Sequence, residues 1–99
     1  MKIKLELKRS DDSAPEYYFT NLFVLTEWER LTRRAPKDIV ERALTSDWAC
    51  MMHVILKLRG EQVGDDWREW LKQNQEYYIA PANDLVDTNP TVAAPTAAS

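Results

Sequence analysis

The sequence is poor in the residues that most site chemistry needs. Of its 99 residues one is cysteine, one is histidine and two are glycine. One cysteine cannot close an internal disulfide, so nothing points to an oxidising compartment. Two glycines cannot build a loop that cradles phosphate. A basic excess is lacking too. Against 13 Lys and Arg stand 16 Asp and Glu, a net charge of −3, which argues against a general nucleic-acid binder. No run approaches the roughly 20 apolar residues of a membrane span. Met1–Ser10 alternates charged and apolar residues and has no apolar signal core. The expectation is a soluble, cytoplasmic protein.

What is present is a heavy aromatic load, four Trp and four Tyr, on a chain long enough for one small domain. At this length folding buries about 60–65% of the unfolded surface, so the core is marginal and a partner or self-association would add stability. The aromatics supply large contact area to a core or to an interface.

The apolar pattern changes period along the chain. Ile3, Leu5 and Leu7 alternate with Lys2, Lys4, Glu6 and Lys8, a half-buried strand. A polar turn follows, then the β-favouring Tyr17–Phe19, and the two runs are expected to pair as a hairpin lying on helices or on another subunit. From Thr20 or Asn21 a helical period begins, with Val24, Leu25, Trp28 and Leu31 on one side. A short second helix starts at Pro36, a permitted first-turn proline, with Ile39, Val40, Ala43 and Leu44 as its apolar side. The third is expected from an N-cap at Ser46 to a stop at Gly60. The fourth begins at Asp65 or Asp66. It carries Trp67, Trp70, Leu71, Asn74, Tyr77 and Tyr78 as one stripe. The fold class expected is mainly α: about four helices over residues 1–79, with an N-terminal β-hairpin. Residues 80–99, rich in Ala, Pro and Thr and without Lys or Arg, are expected to be a disordered tail.

Cys50 and His53 invite a catalytic or metal reading. A nucleophilic pair needs an oriented base and oxyanion donors, and a zinc site needs two further ligands. Neither set is present, so the pair is read as structural. On a helical wheel it falls on the face away from the main core, while Trp48, Met51, Met52, Val54, Ile55, Leu56 and Leu58 fill a wide apolar arc. The third helix is therefore expected at the centre of the domain. The acidic positions of the helices read as solvated charge and caps, and no cofactor, metal or enzyme activity is expected.

Taken in order, these residues resemble the tail assembly chaperones of long-tailed bacteriophages. The resemblance runs from Asn21 to Ile79. It rests on Glu27, Trp28 and Glu29 in the first helix. It continues with Trp48, Ala49, Ile55, Leu56, Lys57, Arg59 and Gly60 in the third, and with Trp67, Trp70 and Leu71 after a polar interval. It implies a helical, non-catalytic protein of the host cytoplasm, absent from the mature virion. Such a protein binds and solubilises the tape measure protein and helps recruit tail tube subunits. In the family a frameshifted longer form is thought to contact the tail tube protein.

The partner surface expected from the sequence is Met51, Met52, Trp67, Trp70, Leu71, Tyr77 and Tyr78. Met and aromatic side chains adapt to varied apolar partners, and an acidic exterior keeps such a complex soluble. A homo-oligomer would add avidity along one tape-measure chain. The rival reading is a small regulatory adaptor, antitoxin-like or anti-repressor-like, that binds a protein target. The lack of a basic recognition helix counts against direct DNA binding.

Overall fold

The computed structural model describes residues 2–82. Two strands, β1 (Lys4–Lys8) and β2 (Glu16–Phe19), precede four helices, α1 (Leu22–Thr32), α2 (Pro36–Arg42), α3 (Thr45–Leu58) and α4 (Trp67–Gln73), and a last strand, β3 (Tyr78–Pro81). Helix predominates, and the strands form one antiparallel sheet in the order β2-β1-β3. The expected hairpin is there, with Leu5 opposite Tyr18 and Leu7 opposite Glu16. β3 was not expected. It pairs along the other edge of β1, with Leu7 opposite Ile79 and Leu5 opposite Pro81. A third strand supplies what an isolated hairpin lacks.

β3 exists because α4 is shorter than its aromatic stripe suggests. The helix closes at Asn74, whose backbone N–H reaches Leu71 O at 3.1 Å and whose side-chain amide donates to Trp70 O at 2.7 Å. A polar residue that can satisfy late carbonyls ends a helix, whatever apolar residues follow. Tyr77 and Tyr78 therefore do not continue the stripe. The domain boundary expected after Ile79 falls inside a strand, since Ala80 and Pro81 belong to β3. The disorder expected for the tail concerns, from residue 83 onward, positions outside the described residues.

α3 is central, as expected. It meets α1, α4, β1 and β3. It starts earlier than the Ser46 cap suggests, because Asp47 in its third position accepts Leu44 N–H at 2.8 Å and makes Leu44 the N-cap. Its end is a Schellman motif: Gly60 N–H bonds Lys57 O and Glu61 N–H bonds Leu56 O, both at 3.0 Å. Gly60 has φ +93°, a backbone region that a side chain makes costly. The motif delivers Glu61 to Arg9, whose guanidinium also binds Glu16 at 2.7 Å. The β1–β2 turn is thereby tied to the α3–α4 loop. Those two carboxylates raise the Arg9 pKa, and the hydrogen bond from Arg9 holds the Glu16 carboxyl below its ordinary range.

The core lies between the inner sheet face (Ile3, Leu5, Leu7) and the helices, around Trp28, Met51, Met52 and Leu56. Thr20 joins sheet to helix. Its hydroxyl accepts Ile3 N–H at 2.9 Å, its N–H bonds Ile3 O at 3.0 Å, and Asn21 then caps α1 through Val24 N–H.

Candidate interaction surface

The seven residues expected to face a partner separate into two groups. Met51 and Met52 are 0% exposed, and Trp67 and Trp70 are also buried, so these four are core rather than groove. The reason is geometric. α3 is covered by α1, α4 and the sheet together, which leaves its methionines no open side. Trp70 packs on α3, its ring 5.5 Å from that of His53, and Trp67 joins the same core. Leu71 and Tyr77 are half-buried, and Tyr77 stands edge-on to Trp70 with ring centroids 5.7 Å apart. Both line an open depression of about 560 Å³ beside Arg68, Lys72, Asn74 and Gln75. Tyr78 alone is largely exposed, at 55%, and it stands on the outer sheet face rather than on the helix.

Cys50 and His53 are not on a solvent face, contrary to the wheel. Both are buried, because α4 and the α3–α4 loop close the side of α3 that the wheel leaves open. His53 Nε2 lies 3.3 Å from Val63 O and 3.1 Å from Gly64 O. Two carbonyls can only accept, so Nε2 carries the proton and donates. The ring also packs against Trp70 at 5.5 Å. Burial lowers the His53 pKa, and burial followed by the Asp47 carboxylate pushes the Cys50 thiol up to about 12. Such a thiol stays protonated near neutral pH and makes a poor nucleophile. Among the described residues no group of three or more His, Cys, Asp or Glu could hold a metal ion. No described helix is long and apolar enough to cross a membrane.

α2 leaves apolar residues uncovered. Of its expected inward residues only Ile39 is buried. Val40 is 76% exposed, and Ala43 and Leu44 face solvent beyond the helix end. A seven-residue helix does not persist on its own propensity. This one is held at three points. Ile39 seats in the core, and Asp38 accepts Ala35 N–H at 2.7 Å. Arg34 donates to Arg42 O at 2.7 Å while its guanidinium pairs with the wholly buried Asp47. Arg34 is aimed there by Arg33, which leaves α1 in the left-handed conformation at φ 60°. Fastened this way, α2 keeps Val40 exposed, and the turn into α3 exposes Ala43 and Leu44 beside it.

A second open region lies on the outer sheet face. There Tyr17, Phe19 and Tyr78 stand exposed among Lys2, Lys4 and Lys8, with the Lys2 ammonium 4.9 Å from the Phe19 ring and that of Lys4 4.7 Å from the Tyr17 ring. Leu22 and Phe23, at the start of α1, are exposed as well. Apart from Tyr78, sequence reasoning did not single out these residues as a surface. Strand alternation carried the signal for Tyr17 and Phe19. Once Tyr18 pairs with Leu5 on the inner face, its two neighbours must point out. No protein-family model, curated protein or solved structure matches the chain.

Proposed function

We propose that this protein is a non-catalytic chaperone of phage tail assembly, which binds the helical tape measure protein in the host cytoplasm and keeps it soluble while tail tube subunits are recruited. The reading rests on the order of residues from Glu27 to Leu71 and on one structural observation, the exposed apolar residues of α2 and of the turn that follows it. A holdase for apolar helices needs apolar surface held open on a folded base. Val40, Ala43 and Leu44 are such a surface, and Arg34, Asp38 and Ile39 keep it in place. An amphipathic helix of the partner would lay its apolar stripe along α2. The partner surface moves accordingly, from the buried Met51, Met52, Trp67 and Trp70 to α2. Recruitment of the tail tube protein belongs to the same proposal, through a longer frameshifted form.

The test is co-expression with the tape measure protein of the same genome. The expected result is a tape measure protein that is insoluble alone and co-purifies in solution with this chain. The variant Val40→Asp should lose co-purification at an unchanged melting temperature. A tape measure protein that is soluble without this chain, or that ignores it, defeats the reading. Retention by Val40→Asp at the wild-type level would remove α2 as the surface.

A further inference from the structure

The outer edge of β2 is open to a further strand. Thr20 N–H bonds Ile3 O, so in this antiparallel ladder Tyr18 and Glu16 share that phase and turn their backbone groups toward β1. Tyr17 and Phe19 then turn their N–H and C=O groups away from the sheet. Among the described strands none lies beyond β2. Natural sheets protect such an edge with proline, an edge lysine, a bulge or a covering helix. Glu16–Phe19 contains no proline and no lysine, and its register with β1 runs without interruption. The opposite edge, β3, does carry a proline, Pro81.

We infer that β2 joins β2 of a second copy about a twofold axis at Tyr18, making one continuous six-stranded antiparallel sheet. The register follows from the side chains. Residues directly opposite each other share a face, so with Tyr18 on the axis Tyr17 meets Phe19 of the second copy, and the reverse. These are the residues whose backbone groups point outward, so each pair exchanges both its hydrogen bonds. It also sets aromatic rings side by side, a favourable cross-strand pairing. The next alternative, Tyr17 opposite its own copy, would place Phe19 against Pro15, which has no N–H to give.

The flanks favour a second copy over an unrelated strand. Continuing the register brings Asn21 and Leu22 of one copy toward Pro15 and Ala14 of the other. Leu22 is 78% exposed, and Ala14 and Pro15 are exposed too. One surface thus supplies both sides of the contact, which is what a closed twofold interface requires. The interface uses β2 and the start of α1, not α2, and does not depend on the chaperone reading.

Sedimentation of the full chain from about 1 to 200 µM tests the inference. The wild type is expected to sediment as a dimer at the upper end. Phe19→Pro removes one outward N–H and none from the β1 ladder, so it should give a monomer with wild-type helical circular dichroism. Should that variant fail to fold, the double variant Tyr17→Lys, Phe19→Lys leaves the backbone intact and opposes like charges across the axis, with the same monomer expected. A wild type that stays monomeric at 200 µM overturns the proposal. So does a folded Phe19→Pro or double-lysine variant that still sediments as the dimer.

Discussion

α2 and α3 begin with the same device and end in opposite situations. Each has an aspartate in its third position that accepts the N-cap N–H, Asp38 from Ala35 at 2.7 Å and Asp47 from Leu44 at 2.8 Å. Each follows the cap with an apolar side. In α3 every residue from Asp47 to Leu56 is buried, whereas in α2 only Ile39 is. A cap starts a helix in either place, but tertiary cover decides what the cap is worth. Asp38 is half-exposed and serves only its own helix. Asp47 is sealed and also holds Trp28 Nε1 at 3.0 Å and the Arg34 guanidinium. One carboxylate thereby joins α1, the α1–α2 turn and α3.

The largest effect should come from neutralising the buried carboxylate. In Asp47→Asn a side-chain amide would face Trp28 Nε1–H, Arg34 and Leu44 N–H, all of them donors. Breaking a buried pair costs about 3–5 kcal/mol. Chemical denaturation should show a loss in that range, with α2 loosened because Arg34 also holds Arg42 O. A loss below about 1 kcal/mol would mean that Asp47 caps α3 no more strongly than Asp38 caps α2.

His53 sharpens the same contrast through pH. Its folded pKa lies below its ordinary value because burial disfavours the charged ring. The folded state therefore binds fewer protons than the unfolded chain. The His53 contribution is complete above the unfolded value of about 6.5 and is lost as pH falls through it toward the folded pKa. The slope for one proton is at most about 1.4 kcal/mol per pH unit. The melting temperature should drop from pH 7 to 5, and His53→Gln should flatten that drop. An equally steep curve for the variant would assign the effect to other groups.

Asp38→Ala comes next. It removes a cap that nothing else shares, and a lost cap costs about 0.5–2 kcal/mol. With Ile39 and Arg34 still holding α2, the low end is expected. The loss should appear as faster amide exchange in α2 while α3 keeps its protection. Uniform loss across both helices would show that α2 unfolds only with the whole domain.

Much of this contrast was legible in the sequence. The strand alternation of Lys2–Lys8, the change of period at Thr20, the proline at the start of α2 and the central place of α3 all follow from local pattern. β3 was not legible, because the aromatic stripe runs on past Asn74 and only hydrogen bonding at Trp70 O shows where the helix stops. The inward turn of Cys50 and His53 was hidden for a related reason. A wheel records one helix's own polarity, whereas the cover over that face comes from Val63 and Trp70, distant in sequence. The same limit put Met51, Met52, Trp67 and Trp70, all buried, on an expected surface. Met51 and Val40 are both apolar residues on amphipathic helices, and sequence cannot say which has a neighbour.

The smallest effect on stability should carry the largest effect on binding. Val40 is 76% exposed, so Val40→Asp removes little buried area and should change stability by no more than about 0.5 kcal/mol. Its neighbour Ile39→Ala should cost more, toward the lower part of the about 2–5 kcal/mol typical of buried truncations, since α2 can shift to close the gap. The pair separates two roles of one short helix. If Ile39 anchors and Val40 binds, the alanine variant melts earlier and its partner affinity falls only with the population of seated α2. The aspartate variant melts as the wild type does and binds at least tenfold less. If Val40→Asp instead lowers the melting temperature as far as Ile39→Ala, α2 is covered on that side by something in solution, and its exposure no longer distinguishes it from α3.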